Sequence, residues 1–137
     1  MATTASITLA SDLMTDSISV SSSTTCTKAG TTADNLDGIE MGYLDVATGD
    51  QYDILDATAL GLNKANKVYL CNESTDETHY VIVEVKAEVL GRLYGGDWMF
   101  IPWGAESADS DIEITAITGT NKIGYALFHE GKTLTAS

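Results

Sequence analysis

The chain has 137 residues, 44% of them hydrophobic, and its 7 Lys+Arg against 20 Asp+Glu give a formal charge of −13. One domain of that size buries roughly two thirds of the surface its unfolded chain exposes, so it needs neither a disulfide framework nor a metal, and the apolar content excludes disorder. The seven cations are scattered from Lys28 to Lys132, which leaves no basic stripe to hold a nucleic-acid backbone or an anionic membrane.

In chain order, Met1 to Ser11 is uncharged, Thr/Ala-rich and free of glycine. It lacks the basic start and long apolar run of a signal peptide, and no apolar stretch of ~20 residues follows that would span a bilayer. The expected compartment is therefore the cytoplasm. Residues 1–11 read as a candidate extended arm suited to adding as a strand to a neighbour's sheet, with Ser6–Ala10 as its strand.

From Met14 to Thr25 the signal is period two. Met14, Ile18, Val20 and Cys26 fall on even positions, and every odd position from Thr15 to Thr27 is Ser or Thr. Such alternation sets one face on a core and the other in water. Further strands are predicted at Ile39–Val46, Gln51–Leu55, Lys67–Asn72, His79–Leu90, Asp97–Trp103, Asp111–Ile117 and Lys122–His129. In His79–Leu90, Val81, Val83, Val85, Ala87 and Val89 are expected inside, with Glu84, Lys86 and Glu88 outside. In the last strand Ile123, Tyr125 and Leu127 share a face.

Turn chemistry separates these runs: a polar hairpin loop at Asn72 to Thr78, a reversal at Gly95-Gly96, and a hairpin at Gly119-Thr120-Asn121. Only residues 56–66 suit a short helix, with Asp56 as its N-cap. The expected fold is all-β: a single antiparallel sandwich of jelly-roll type spanning residues 1–137. Its core should include Ile18, Val20, Val81, Val83, Val85, Ile114 and Leu127. Cys26 and Cys71 are too few for a framework and read as buried free thiols, although neighbouring strands would be able to pair them.

His79 and His129 stand fifty residues apart, outside any zinc-binding spacing, and read as surface strand histidines. No nucleophile elbow, P-loop or dinucleotide fingerprint occurs. Asp109, Asp111 and Glu113 alternate and would line one strand face; Asp45, Asp50, Asp53 and Asp56 form a second acidic run. Asp34-Asn35-Leu36-Asp37-Gly38 imitates a calcium loop, but Leu36 stands where an oxygen ligand is required. These carboxylates read as a solvated acidic surface. No catalytic residue, cofactor or metal ligand is assigned.

The unusual segment is Tyr94-Gly95-Gly96-Asp97-Trp98-Met99-Phe100-Ile101-Pro102-Trp103. It is apolar on both faces and holds both tryptophans and the only proline, which favours an edge strand or a strand end. Tyr94, Trp98, Phe100, Pro102 and Trp103 are the candidate interface residues; the competing reading packs both tryptophans in the core.

The Thr/Ser-rich start, Lys67-Val68-Tyr69-Leu70-Cys71-Asn72, the Gly95–Trp103 segment and the closing Lys122-Ile123-Gly124-Tyr125-Ala126-Leu127-Phe128 together resemble small β-rich virion proteins of tailed bacteriophages. The likeness is greatest to capsid cement, or decoration, proteins of cyanophage-type phages, and it is best over Lys67 to Phe128. The resemblance implies a non-enzymatic protein on the outer capsid surface, made in the host cytoplasm. Its implied partners are the major capsid protein and its own copies, as a homotrimer, with neither nucleic acid nor membrane. Rival readings are a tail, neck or fibre component, a carbohydrate-binding sandwich stacking sugars on Trp98, Trp103 and Tyr94, and a cupin-like enzyme, for which the histidines are too few.

Overall fold

The computed structural model describes residues 2–13, 18–31, 33–60 and 62–130, and of Ile18 the backbone alone. Ten strands and one helical turn follow in order: β1 (Thr3–Ser11), β2 (Ile18–Cys26), β3 (Gly38–Val46), β4 (Gln51–Leu55), α1 (Ala57–Leu60), β5 (Asn66–Asn72), β6 (Tyr80–Val85), β7 (Glu88–Tyr94), β8 (Trp98–Trp103), β9 (Ile112–Thr118) and β10 (Asn121–His129). Strands β3 to β10 form two four-stranded antiparallel sheets, ordered β3-β10-β5-β8 and β4-β9-β6-β7. From β3 onward the chain changes sheet at every connection except β6 to β7. That wrapping is a jelly roll, so the expected all-β sandwich is the observed one.

Between the sheets lie Val46, Leu55, Val68, Leu70, Val81, Val83, Leu93, Trp103, Ile112, Ile114, Ile123 and Leu127, all buried. Four of the predicted core residues, Val81, Val83, Ile114 and Leu127, are among them, and Val85 packs at the margin. Met14 and the side chain of Ile18 lie outside the described residues. The short helix is also where expected: Asp56 Oδ1 accepts from the amides of Thr58 at 2.8 Å and Ala59 at 3.2 Å, the N-cap geometry.

Four expectations are corrected. His79–Leu90 is two strands: the chain reverses at Lys86 and Ala87, whose φ angles of 54° and 61° are the paired left-handed values of a two-residue hairpin. Beyond that turn Ala87 and Val89 are exposed rather than inside. The segment from Asn72 to Thr78 is no hairpin loop, because β5 and β6 belong to different sheets. Third, Gly119-Thr120-Asn121 is no hairpin either, because it joins β9 of one sheet to β10 of the other. Thr3–Ser11 pairs with β2 from Thr3↔Cys26 to Ser11↔Ile18, making a separate two-stranded ribbon. Fourth, Val20 lies on that ribbon, 48% exposed, and not in the sandwich core.

Candidate functional site

Strand registers fix which side chains share a face. On the sheet β3-β10-β5-β8, the inner set carries Val68, Leu70, Ile123 and Leu127. The alternate residues point outward, and they too are apolar. One row across the strands is Ile39, Phe128, Lys67, Pro102; the next is Met41, Ala126, Tyr69, Phe100; the third is Tyr43, Gly124, Cys71, Trp98. Charge enters only at the two ends, with Lys67 in the first row and Asp45 opposite Lys122 beyond the third. A sheet apolar on both faces needs a cover on its second face.

Part of that cover is the ribbon. Antiparallel pairing sets Thr3, Ala5, Ile7 and Leu9 on one side with Cys26, Thr24, Ser22 and Val20; the other side pairs Thr4, Ser6 and Thr8 with Thr25, Ser23 and Ser21, all hydroxyl residues. Between the ribbon and the sheet lies a trough of about 1040 Å³, bounded by Ile7 and Leu9 above and by Met41, Tyr69, Trp98 and Phe128 below. The trough stays open: Met41 is 72% exposed, Tyr43 65% and Trp98 52%. The Tyr69 and Trp98 rings lie 6.4 Å apart and tilted by 35°.

The five candidate interface residues do not stay together. Trp98, Phe100 and Pro102 lie on this face, and Pro102 is on β8, an edge strand, as its missing amide requires. Trp103 is instead a core residue, 4% exposed, its indole Nε1 donating to the Ser110 carbonyl at 2.9 Å. Strict alternation along β8 turns Met99, Ile101 and Trp103 inward, so Trp103 takes no part in this surface. Tyr94 belongs to the other sheet, where its ring lies 4.9 Å from Tyr80 and its hydroxyl accepts from Arg92 at 3.3 Å. The sequence reading missed Ile39, Met41, Tyr43, Tyr69 and Phe128. Their signal was present, since Ile39–Val46 carries apolar residues on both phases.

The outer face of β4-β9-β6-β7 is of opposite character. Register sets Asp53, Glu113 and Glu84 side by side across three strands. Burial, and next the Asp53 charge, raises the Glu113 carboxyl above its ordinary range, although Gln51 donates to it at 2.7 Å. The predicted grouping of Asp109, Asp111 and Glu113 does not form. Asp109 accepts from the Ser107 hydroxyl, Asp111 accepts from the Ala57 amide at 2.7 Å, and Glu113 joins the row just described. Leu36 is buried, which removes the calcium-loop reading of residues 34–38. Among the described residues no group of three or more His, Cys, Asp or Glu is placed to hold a metal ion.

A raised carboxyl means that the folded state prefers the protonated form. Ionisation of Glu113 therefore opposes folding, an effect absent below the ordinary glutamate value of about 4.3 and present once pH rises through the raised value. Glu113→Gln is expected to raise the melting temperature at pH 7 and to lose that advantage below about pH 4. An equal gain at both pH values in a thermal scan would refute this account of the row.

The histidines are corrected as well. His129 is buried rather than on the surface, with Nδ1 3.0 Å from the Glu130 carbonyl and Nε2 3.7 Å from Glu40. His79 precedes β6, with Nε2 3.2 Å from Asp76. It packs on Gly119, next to the start of β10, whereas His129 ends that strand. The two imidazoles thus belong to opposite ends of the sandwich and cannot share a metal. Both cysteines are free, but only Cys26 is buried; Cys71 is half-buried and lies on the outer face beside Trp98.

Fold and surface together define a jelly-roll sandwich with one aromatic, nearly uncharged outer face and, on the other, an acidic row beside Arg92 and a tyrosine pair. No family model matches the chain, and no curated protein matches it. Among solved structures it is similar to a cupin protein from Bacteroides fragilis, at 15% identity over 74% of this chain and 73% of that one, with a TM-score of 0.37.

Proposed function

We propose that this chain is a structural virion protein, a cement that binds the assembled capsid shell of a tailed phage and stabilises it. The observation that carries the reading is the opposed character of the two outer faces, which equips a small sandwich for two contacts at once. In this reading the chain does no chemistry. Its acidic side meets basic patches of the major capsid protein on the outer shell, and copies associate as a homotrimer. Binding the closed lattice but not the disrupted one stabilises the lattice by mass action, and symmetric copies multiply weak contacts through effective concentration.

Particles lacking the protein are expected to form but to rupture at lower temperature or under osmotic shock. Added protein should restore them, less effectively as salt screens the acidic contact. Depleted particles as tough as complete ones would overturn the proposal. A label on the tail, neck or fibres would transfer the chain to one of those parts instead. A carbohydrate-binding role is favoured by one feature, the exposed Trp98 beside Tyr69 opposite a hydroxyl-bearing ribbon. Glycan-array binding without particle binding would select it.

A further inference from the structure

We infer that the trough between the β1–β2 ribbon and the outer face of β3-β10-β5-β8 is the surface on which a second copy of this chain docks, entering from the β3 side. Three features of the molecule lead there. First, at −13 two copies repel one another almost wherever they meet. The three rows from Ile39 to Trp98 hold one charged residue, Lys67, at their margin, so this face lets two copies approach without stacking carboxylate on carboxylate. A basic shell patch would gain nothing from a neutral face; an acidic copy of the same chain gains by meeting on it.

Second, the cover is incomplete on both of its walls. Ile7, Leu9 and Val20 of the ribbon remain exposed on the side that bears apolar residues, while Ile39, Met41 and Tyr43 stand exposed on the wall opposite. A two-stranded ribbon is marginal in water on its own, so this one gains most from an occupant between it and the sheet.

Third, the size fits. Four strands at ~4.8 Å spacing and three rows along them give a face of roughly 400 Å² with side-chain margins, about half of what each partner of a stable complex contributes. The inward side of the ribbon supplies a comparable strip. Ile39, Met41 and Tyr43 stand exposed along β3, an edge of the sheet, and there that strip of one copy meets the trough of the next. The strip and the trough belong to the same chain, so each copy carries both halves of the contact.

This assignment rests on the self-association in the proposed function and gives it a surface, and its test on free protein needs no particle, so it can fail while shell binding stands. Sedimentation equilibrium of the purified chain is expected to give a mass of two or more protomers. Met41→Asp, at a position 72% exposed, should fold with an unchanged circular dichroism spectrum and sediment as a single protomer. Val89→Asp, also exposed but on the other sheet, should leave the mass unchanged. Cys71 is half-buried on the docking face and Cys26 is buried, so iodoacetamide should label Cys71 several-fold faster in Met41→Asp than in the parent, with Cys26 slow in both. A single-protomer mass for the parent chain, or an oligomer that Met41→Asp leaves intact, overturns the inference.

Discussion

Val83→Asp is expected to unfold most of the protein at room temperature, whereas Val89→Asp should change its stability by less than about 0.5 kcal/mol. Val83 is 1% exposed and sits between Ile114 on β9 and Gly91 on β7, inside the layer that joins the sheets. An aspartate there has no cation to pair with among its cross-strand neighbours and must either ionise in apolar surroundings or bind a proton it would release in water. Such changes cost about 4–5 kcal/mol or more, against a total stability of about 5–15 kcal/mol for a domain. Val89 continues the same alternation in the sequence but lies past the hairpin, in solvent. Chemical denaturation of the two variants side by side decides the matter. A soluble Val83→Asp protein with unchanged melting would mean that this face is not the core.

The second large effect is expected from Asn72→Ala. Asn72 is fully buried at one end of the sandwich, where its Nδ2 donates to the Leu93 carbonyl at 3.0 Å and to Asn121 Oδ1 at 2.9 Å. Its Oδ1 accepts from the Ser74 amide at 3.0 Å. The side chain thus ties β5 to β7 across the sheets and to the first residue of β10. Truncation strands two acceptors and a donor, and each buried polar group left unpaired costs about 1–3 kcal/mol. With partial relaxation the loss should be about 3 kcal/mol, read as a lower urea midpoint with an unchanged slope. A loss below about 1 kcal/mol would show that water replaces the side chain without penalty.

Asn72 also illustrates what sequence patterning reveals and what it hides. Asparagine after a hydrophobic run signals a turn, and one does follow; nothing local signals that its amide is buried against Asn121, 49 residues later. The Lys86-Ala87 reversal was hidden for a different reason. Two-residue hairpins usually announce themselves with Asn-Gly or a similar pair able to take positive φ, and here a lysine and an alanine take it. The valines on either side keep phase, so the alternation runs straight through the bend. By contrast, the strand at Gln51–Leu55, the Asp56 cap and the edge position of Pro102 were legible because each rests on local chemistry. The candidate surface was half legible. Trp98, Phe100 and Pro102 could be read from one doubly apolar segment, but Met41 and Tyr69 join them only through register between strands far apart in the chain.

The order of synthesis meets the order of the sheets in an awkward way. Strand β10 lies between β3 and β5, and β9 lies between β4 and β6. The two strands that leave the ribosome last are the ones that fill the interior of the two sheets, one in each. Until β9 has emerged one sheet lacks continuous hydrogen bonding, and until β10 has emerged the other does, so apolar strands made earlier have edges open to any neighbouring nascent chain. Folding must therefore wait for translation to deliver the middle of the structure, and closure over such sequence distances is slow. The Ser/Thr-rich ribbon and the dispersed carboxylates thereby have a second use. They keep half-made chains apart during the interval in which the sandwich has no interior.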